Sequence, residues 1–193
     1  MPRARSAEKP ASQANAFCDA VFTARPPALR VAPRPGTRDE EAVRAEAKAH
    51  GPKGRAVGDE ARNRVLSGLA LLWHDQWDAA HDCAQAQEGE ADHDLLHAMA
   101  HRREGDHGNA GYWFDQAGTH PSYLILAERL SVLPIPPDLR AQLLPEGVWS
   151  PTAFNNEVRK RAREESPATE TLMMIQAEEF RALAWSLFVP RAP

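Results

Sequence analysis

Between Asp59 and Phe188 apolar residues recur at three- and four-residue intervals, the spacing that lays a stripe along one face of an α-helix. Val65, Leu66, Leu69, Leu72 and Trp73 make the first stripe, which stops at His74-Asp75-Gln76. The pattern resumes from Asp78 to Ala86 with Ala79, Ala80, Cys83 and Ala84, predicting a second helix folded back on the first. After the Glu88-Gly89-Glu90 break, Leu95, Leu96, Met99 and Ala100 predict a third helix ending at Gly105-Asp106, and Ala110, Trp113, Phe114 and Ala117 a fourth ending at Gly118. Further helices are expected over Tyr123 to Leu133, Asp138 to Leu144, from the Ser150-Pro151 cap to about Arg163, and from Ser166-Pro167 through Leu172, Ile175, Phe180, Leu183 and Leu187. The last is long and amphipathic enough to close over the hairpins. No segment alternates as a strand, so the fold class is all-α.

The two hairpins repeat. Ala80 superposes on Ala110 at an offset of thirty residues, close to the roughly 34-residue period of helix-turn-helix arrays. Phe114, Ala117 and Pro121 fit later positions of such a unit, so the hairpins loosely resemble tetratricopeptide repeats. Two units fall short of the three or more an array needs, and the C-terminal helices are expected to complete the core.

Residues 1–57 read differently. Proline, alanine and arginine are dense around Ala24 to Gly36, which blocks helix and sheet alike, so this part is expected to be a mostly flexible arm. A short helix is placed over Gln13 to Ala24. A second, polar one is placed near 38–50, opened by the capping-box pattern Thr37-Arg-Asp-Glu40 and closed by Gly51-Pro52, with too weak an apolar stripe to dock firmly. Residues 58–190 form the helical domain. The net charge of −4 is mild, with the basic residues concentrated in the arm and an acidic body behind it, which argues against nucleic-acid binding. Cys18 and Cys83 have no CxxC partner, no apolar run approaches the roughly 20 residues of a membrane span, and no secretory h-region is seen. The expected location is the cytoplasm.

All of the eight histidines except His50 fall between His74 and His120. His93, His97 and His101 follow at four-residue spacing and so share a helical stripe, but Asp92-His93-Asp94 reads as the polar start of a helix and assigns His93 to solvent. In stacked hairpins the second helix of one unit lies on the first helix of the next, which turns His81 toward His97 and His101. Those three could bind a divalent metal such as zinc, iron or manganese, with His120 as a fourth ligand and Glu104, three residues after His101, orienting or activating water. Arg102 and Arg103 could hold a small anionic ligand, or could pair within the chain at the helix C-terminus. HExxH is absent, as are GxGxxG, Walker, GxSxG and CxxC motifs, so no nucleotide, acyl-enzyme or redox chemistry is indicated. The alternative is that the histidines are architecture and the module binds a protein partner in its groove.

The strings Leu71-Leu-Trp-His-Asp-Gln-Trp-Asp-Ala-Ala-His81, His97-Ala-Met-Ala-His-Arg-Arg-Glu-Gly-Asp106, Asn109-Ala-Gly-Tyr-Trp-Phe114 and Gly118-Thr-His-Pro121 resemble a bacterial and fungal family of unassigned activity. The likeness runs from about Leu69 to Phe188. It implies that Asp78, His81, His97, His101, Arg102, Arg103, Glu104, Asp106, Asn109, Tyr112, Trp113 and His120 are characteristic positions and that His74, His93 and His107 are not. The chain departs from the pattern at Asn155-Asn156, where the family carries an apolar residue and an acid.

Overall fold

The computed structural model describes residues 4–23, 25–32, 35–53 and 58–189, with side chains from residue 10 onward. Among these residues there are ten α-helices, one 3₁₀ turn at Pro145–Gly147 and no strand. The helices are α1 (Ala4–Val21), α2 (Glu40–His50), α3 (Asp59–Trp73), α4 (Trp77–Gln85), α5 (Ala91–Glu104), α6 (His107–Ala117), α7 (Ser122–Ser131), α8 (Pro137–Leu143), α9 (Pro151–Arg161) and α10 (Pro167–Phe188). The fold is all-α, and α3 to α10 match the expected helices closely.

Side chains set several of the starts. Asp39, Asp106, Ser150 and Ser166 each accept a hydrogen bond from the backbone N–H three residues on, those of Ala42, Asn109, Ala153 and Thr169. For α2 this moves the cap from the expected Thr37 to Asp39, whose carboxylate reaches Ala42 N at 2.9 Å. Glu40 thereby becomes the first helical residue. Helix α5 ends at Gly105, whose φ of 99° lets the chain reverse at once into α6.

Packing is sequential at first: α3 lies on α4, α4 on α5 and α5 on α6. Gly68 makes the inner approach feasible, since a Cβ there would collide with the Leu96 side chain and meet Cys83 Cβ at 2.9 Å. Helix α10 packs across α1, α3, α7 and α9, burying Leu172, Ile175, Phe180 and Leu183 against a core that includes Leu69, Leu72, Trp73, Leu96, Met99 and Phe154. No helix among the described residues is long and apolar enough to cross a membrane.

The N-terminal region departs from expectation. Helix α1 begins well before Gln13, and Ala24 lies outside the described residues, as do the last residues of the expected arm, 57, and of the expected helical domain, 190. Phe17, Val21, Phe22 and Leu29 are buried in the common core. Phe22 stacks on Trp73 at 4.7 Å between ring centroids, and Phe17 meets Phe188 at 5.8 Å. Helix α2 also docks, on α1 and α3, with Val43 and Ala47 buried. The proline-rich stretch is held by distant donors: Trp73 Nε1 donates to Thr23 O at 2.6 Å, Gln176 Nε2 to Pro27 O and Ala28 O, and Arg103 Nε to Ala28 O. Val31 N in turn donates to Arg103 O at 2.8 Å. Carbonyls that proline keeps out of regular ladders are thus satisfied by tertiary partners, which composition alone does not reveal.

Candidate metal centre

Helix α5 is buried on nearly every side, without a break from His93 to Arg103. With α4 on one flank and α6 on the other, a polar residue on α5 meets protein rather than solvent. His97 and His101, one turn apart, face the α4–α6 side, where His81 projects from α4. The three imidazoles converge through their Nε2 atoms: His97 Nε2 lies 2.9 Å and His101 Nε2 3.3 Å from His81 Nε2. All three candidate ligand atoms fall within 4.8 Å of one another, forming a group that could hold a metal ion.

Aromatic rings fix the imidazole planes. Trp77 stacks on His81 at 4.7 Å and Trp113 on His97 at 4.0 Å, while the rings of His97 and His101 stack at 4.8 Å. Hydrogen bonds orient His101: its Nδ1 donates to Glu104 Oε2 at 3.0 Å, which leaves Nε2 with a free lone pair. Asn109 Nδ2 lies over the face of the ring, 3.0 Å from Nε2 and 3.5 Å from Nδ1. Asn109 is itself placed by Asp106, whose side chain caps α6 on the Asn109 N–H.

Burial favours the neutral form of His97 and His81. It pushes the His97 pKa down from 6.5 to about 3, and the neighbouring His81 and His101 push the same way. His81 is also lowered, first by burial and then by His101, against the carboxylates of Glu104, Asp82 and Asp78. Among the described residues His97 Nδ1 has no hydrogen-bond partner. Three imidazole nitrogens within 4.8 Å of one another, with a carboxylate behind one of them, could serve as the donor set of a metal–imidazole centre. Ligands of a tetrahedral ion bound at about 2.0–2.1 Å stand roughly 3.3 Å apart; His101 Nε2 is at that spacing from His81 Nε2, and His97 Nε2 is closer, at 2.9 Å.

His81, His97, His101 and Glu104 are therefore brought together, while the remaining expected site residues are not. His120 is buried and committed elsewhere, with Nε2 at 2.8 Å from Asp92 Oδ1 and Nδ1 at 2.7 Å from Ser122 Oγ. It stands outside the triad because it sits in the α6–α7 turn. Arg102 is fully buried: it forms a two-pronged ion pair with Glu179 of α10, and its guanidinium lies 4.7 Å from the Phe154 ring centroid. Arg103 is fully buried too, donating to Asp75 Oδ1 at 2.5 Å and to the carbonyls of Leu72 and Ala28. Successive residues of a helix point about 100° apart, so the arginines next to His101 leave its face and are not available at the centre for an anionic ligand.

His93 corrects the sequence reading in the other direction. It is 1 % exposed rather than solvated, because even the first turn of α5 is covered. His74 also serves the fold, with Nε2 at 3.0 Å from Val21 O. Asn155 pairs reciprocally with His107, side chain to side chain and side chain to backbone, both at 2.9 Å. Trp77 and Trp113 wall the cluster by stacking on His81 and His97. Asn109, a characteristic position of the resemblance with no role assigned to it, comes against His101 from the first turn of α6.

Comparisons with protein-family models, with curated proteins and with solved structures gave no match.

Proposed function

We propose that the protein binds one divalent metal ion, zinc by preference, through Nε2 of His81, His97 and His101, and uses it for hydrolysis. The observation that carries this is the convergence of the three Nε2 atoms on one point from two helices. An all-imidazole set favours zinc over manganese, which prefers oxygen donors, and over the two-histidine, one-carboxylate arrangement of many iron enzymes. Bound zinc lowers the pKa of its water to about 7 and so supplies hydroxide at neutral pH. Glu104 acts from behind His101, fixing its tautomer and raising its basicity. The half-buried edge of His81 gives the centre its route to solvent.

In this reading α3–α4 and α5–α6 are tetratricopeptide-like hairpins whose interface has been furnished with imidazoles, so the packing surface of a repeat serves as a ligand set. The test is metal analysis of untagged protein followed by zinc titration of the metal-stripped form. One ion per chain, lost in His97→Ala and in the half-exposed variant His81→Ala, supports the proposal. A wild-type chain that takes up no stoichiometric zinc, iron or manganese overturns it.

A further inference from the structure

Helix α7 turns one face to the core, through Tyr123, Leu126 and Leu130, and another to open space. Leu124, Ala127, Glu128 and Ser131 occupy the i, i+3, i+4 and i+7 positions of one stripe and line a groove whose far wall includes Leu144 and Val148. Two hollows of about 620 and 710 Å³ share Leu124, Ala127 and Gly147, so they run together into one trough along the helix. Leu124 is 71 % exposed and Val148 60 %, which leaves large apolar side chains uncovered on a single surface. The walls are helices and a turn rather than strand edges. Such a groove suits a helix laid along it, with apolar side chains repeated at three- and four-residue spacing pressed into the floor.

Charge selects the occupant. Asp115 lines one hollow and Glu128 the other, and Glu146 stands exposed beside Gly147, which borders both. The nearby cations are already engaged. Arg129 pairs with Glu178 at 2.9 Å. Arg140 lines the second hollow, but both ends of its guanidinium donate to carbonyls, those of Leu130 and Leu133, at 2.6 and 2.7 Å. A second copy of the chain seated here would add the same carboxylates again, and an anionic membrane would meet them with like charge. We propose that the groove docks a cationic amphipathic helix of a partner protein, its apolar stripe on Leu124 and Val148 and its flanking lysines or arginines facing Asp115, Glu128 and Glu146. Burial of the apolar stripe supplies the affinity, and the rim carboxylates set orientation and association rate. The groove shares no residue with the histidine triad, so this docking is independent of the metal.

The test uses the full chain and two fluorescein-labelled helical peptides of about 15 residues. One carries leucines at i, i+3, i+4 and i+7 with lysines flanking them; the other has glutamate in place of each lysine. By fluorescence anisotropy the lysine peptide is expected to bind saturably and the glutamate peptide at least about tenfold more weakly. Leu124→Ala should weaken the lysine peptide about tenfold, and the double reversal Asp115→Lys with Glu128→Lys should invert the preference toward the glutamate peptide. All three positions are exposed, so these variants should keep the wild-type circular dichroism and Tm. No saturable binding up to about 1 mM, equal binding of both peptides, or an affinity unchanged in Leu124→Ala would overturn the proposal. A concentration-dependent dimer that Leu124→Ala abolishes would overturn it too, by assigning the face to a second copy. Adsorption to anionic phospholipid vesicles that the same variant abolishes would overturn it in favour of a membrane.

Discussion

His97 and His101 lie within two turns of Arg102 and Arg103 on the same helix, and all four are buried, yet the two pairs are treated in opposite ways. Each arginine has a carboxylate opposite it and more besides: Arg102 has Glu179 and two aromatic faces, Arg103 has Asp75 and two carbonyls. The histidines face one another. Nitrogen is set against nitrogen, burial drives His97 toward neutrality, and the one carboxylate in contact is behind His101 rather than inside the cluster. Buried polar groups that are matched by their complements are accounted for by the fold. A neutral imidazole is both donor and acceptor, so His81 and His97 can share a hydrogen bond at 2.9 Å; in the proposed reading a cation takes the three lone pairs instead.

The largest effect should come from breaking the matched side of this comparison. Arg102→Ala leaves Glu179 buried without its counter-charge and should cost about 3–5 kcal/mol in urea unfolding. Zinc should next stabilise the unmatched side: at a hundredfold excess over its dissociation constant it should add about 2.7 kcal/mol, seen as a rise in Tm that vanishes in His81→Ala. Glu104→Gln keeps a group of the same shape behind His101 but removes its charge. Zinc affinity should fall about 10–100-fold with little change in the stability of the metal-free protein, which separates an orienting carboxylate from a merely packed one.

The mildest probe is pH. The folded pKa of His97 is depressed to about 3 from 6.5, so between those values the unfolded chain binds a proton that the folded chain refuses. The resulting stability is fully present above pH 6.5 and is lost as pH falls toward 3. Unfolding measured from pH 7 down to 5.5 should show the start of that decline in metal-free protein and a smaller one in His97→Phe. Zinc should be retained over that range and released as pH falls toward 3, where protons begin to compete for the His97 lone pair.

Much of this arrangement is legible in the sequence. Apolar stripes and capping residues place α3 to α10, and the stacking rule for hairpins brings His81 to His97 and His101 across two helices. What escapes is whatever depends on distant partners. Arg102 is left between an anion clamp and a pairing within the chain because its partner Glu179 stands 77 residues away, with nothing local to announce it. His93 has acidic neighbours in sequence and looks solvated, whereas tertiary packing covers the whole start of α5. The proline-rich stretch near residue 27 is held by Trp73, Arg103 and Gln176, which come from three different helices.

X-ray absorption of the zinc-loaded protein tests the central claim most directly. The account predicts one zinc per chain with three imidazole nitrogens at about 2.0–2.1 Å, reduced to two in His81→Ala. A bound zinc surrounded by oxygen donors, or an imidazole count that His81→Ala leaves unchanged, would contradict it.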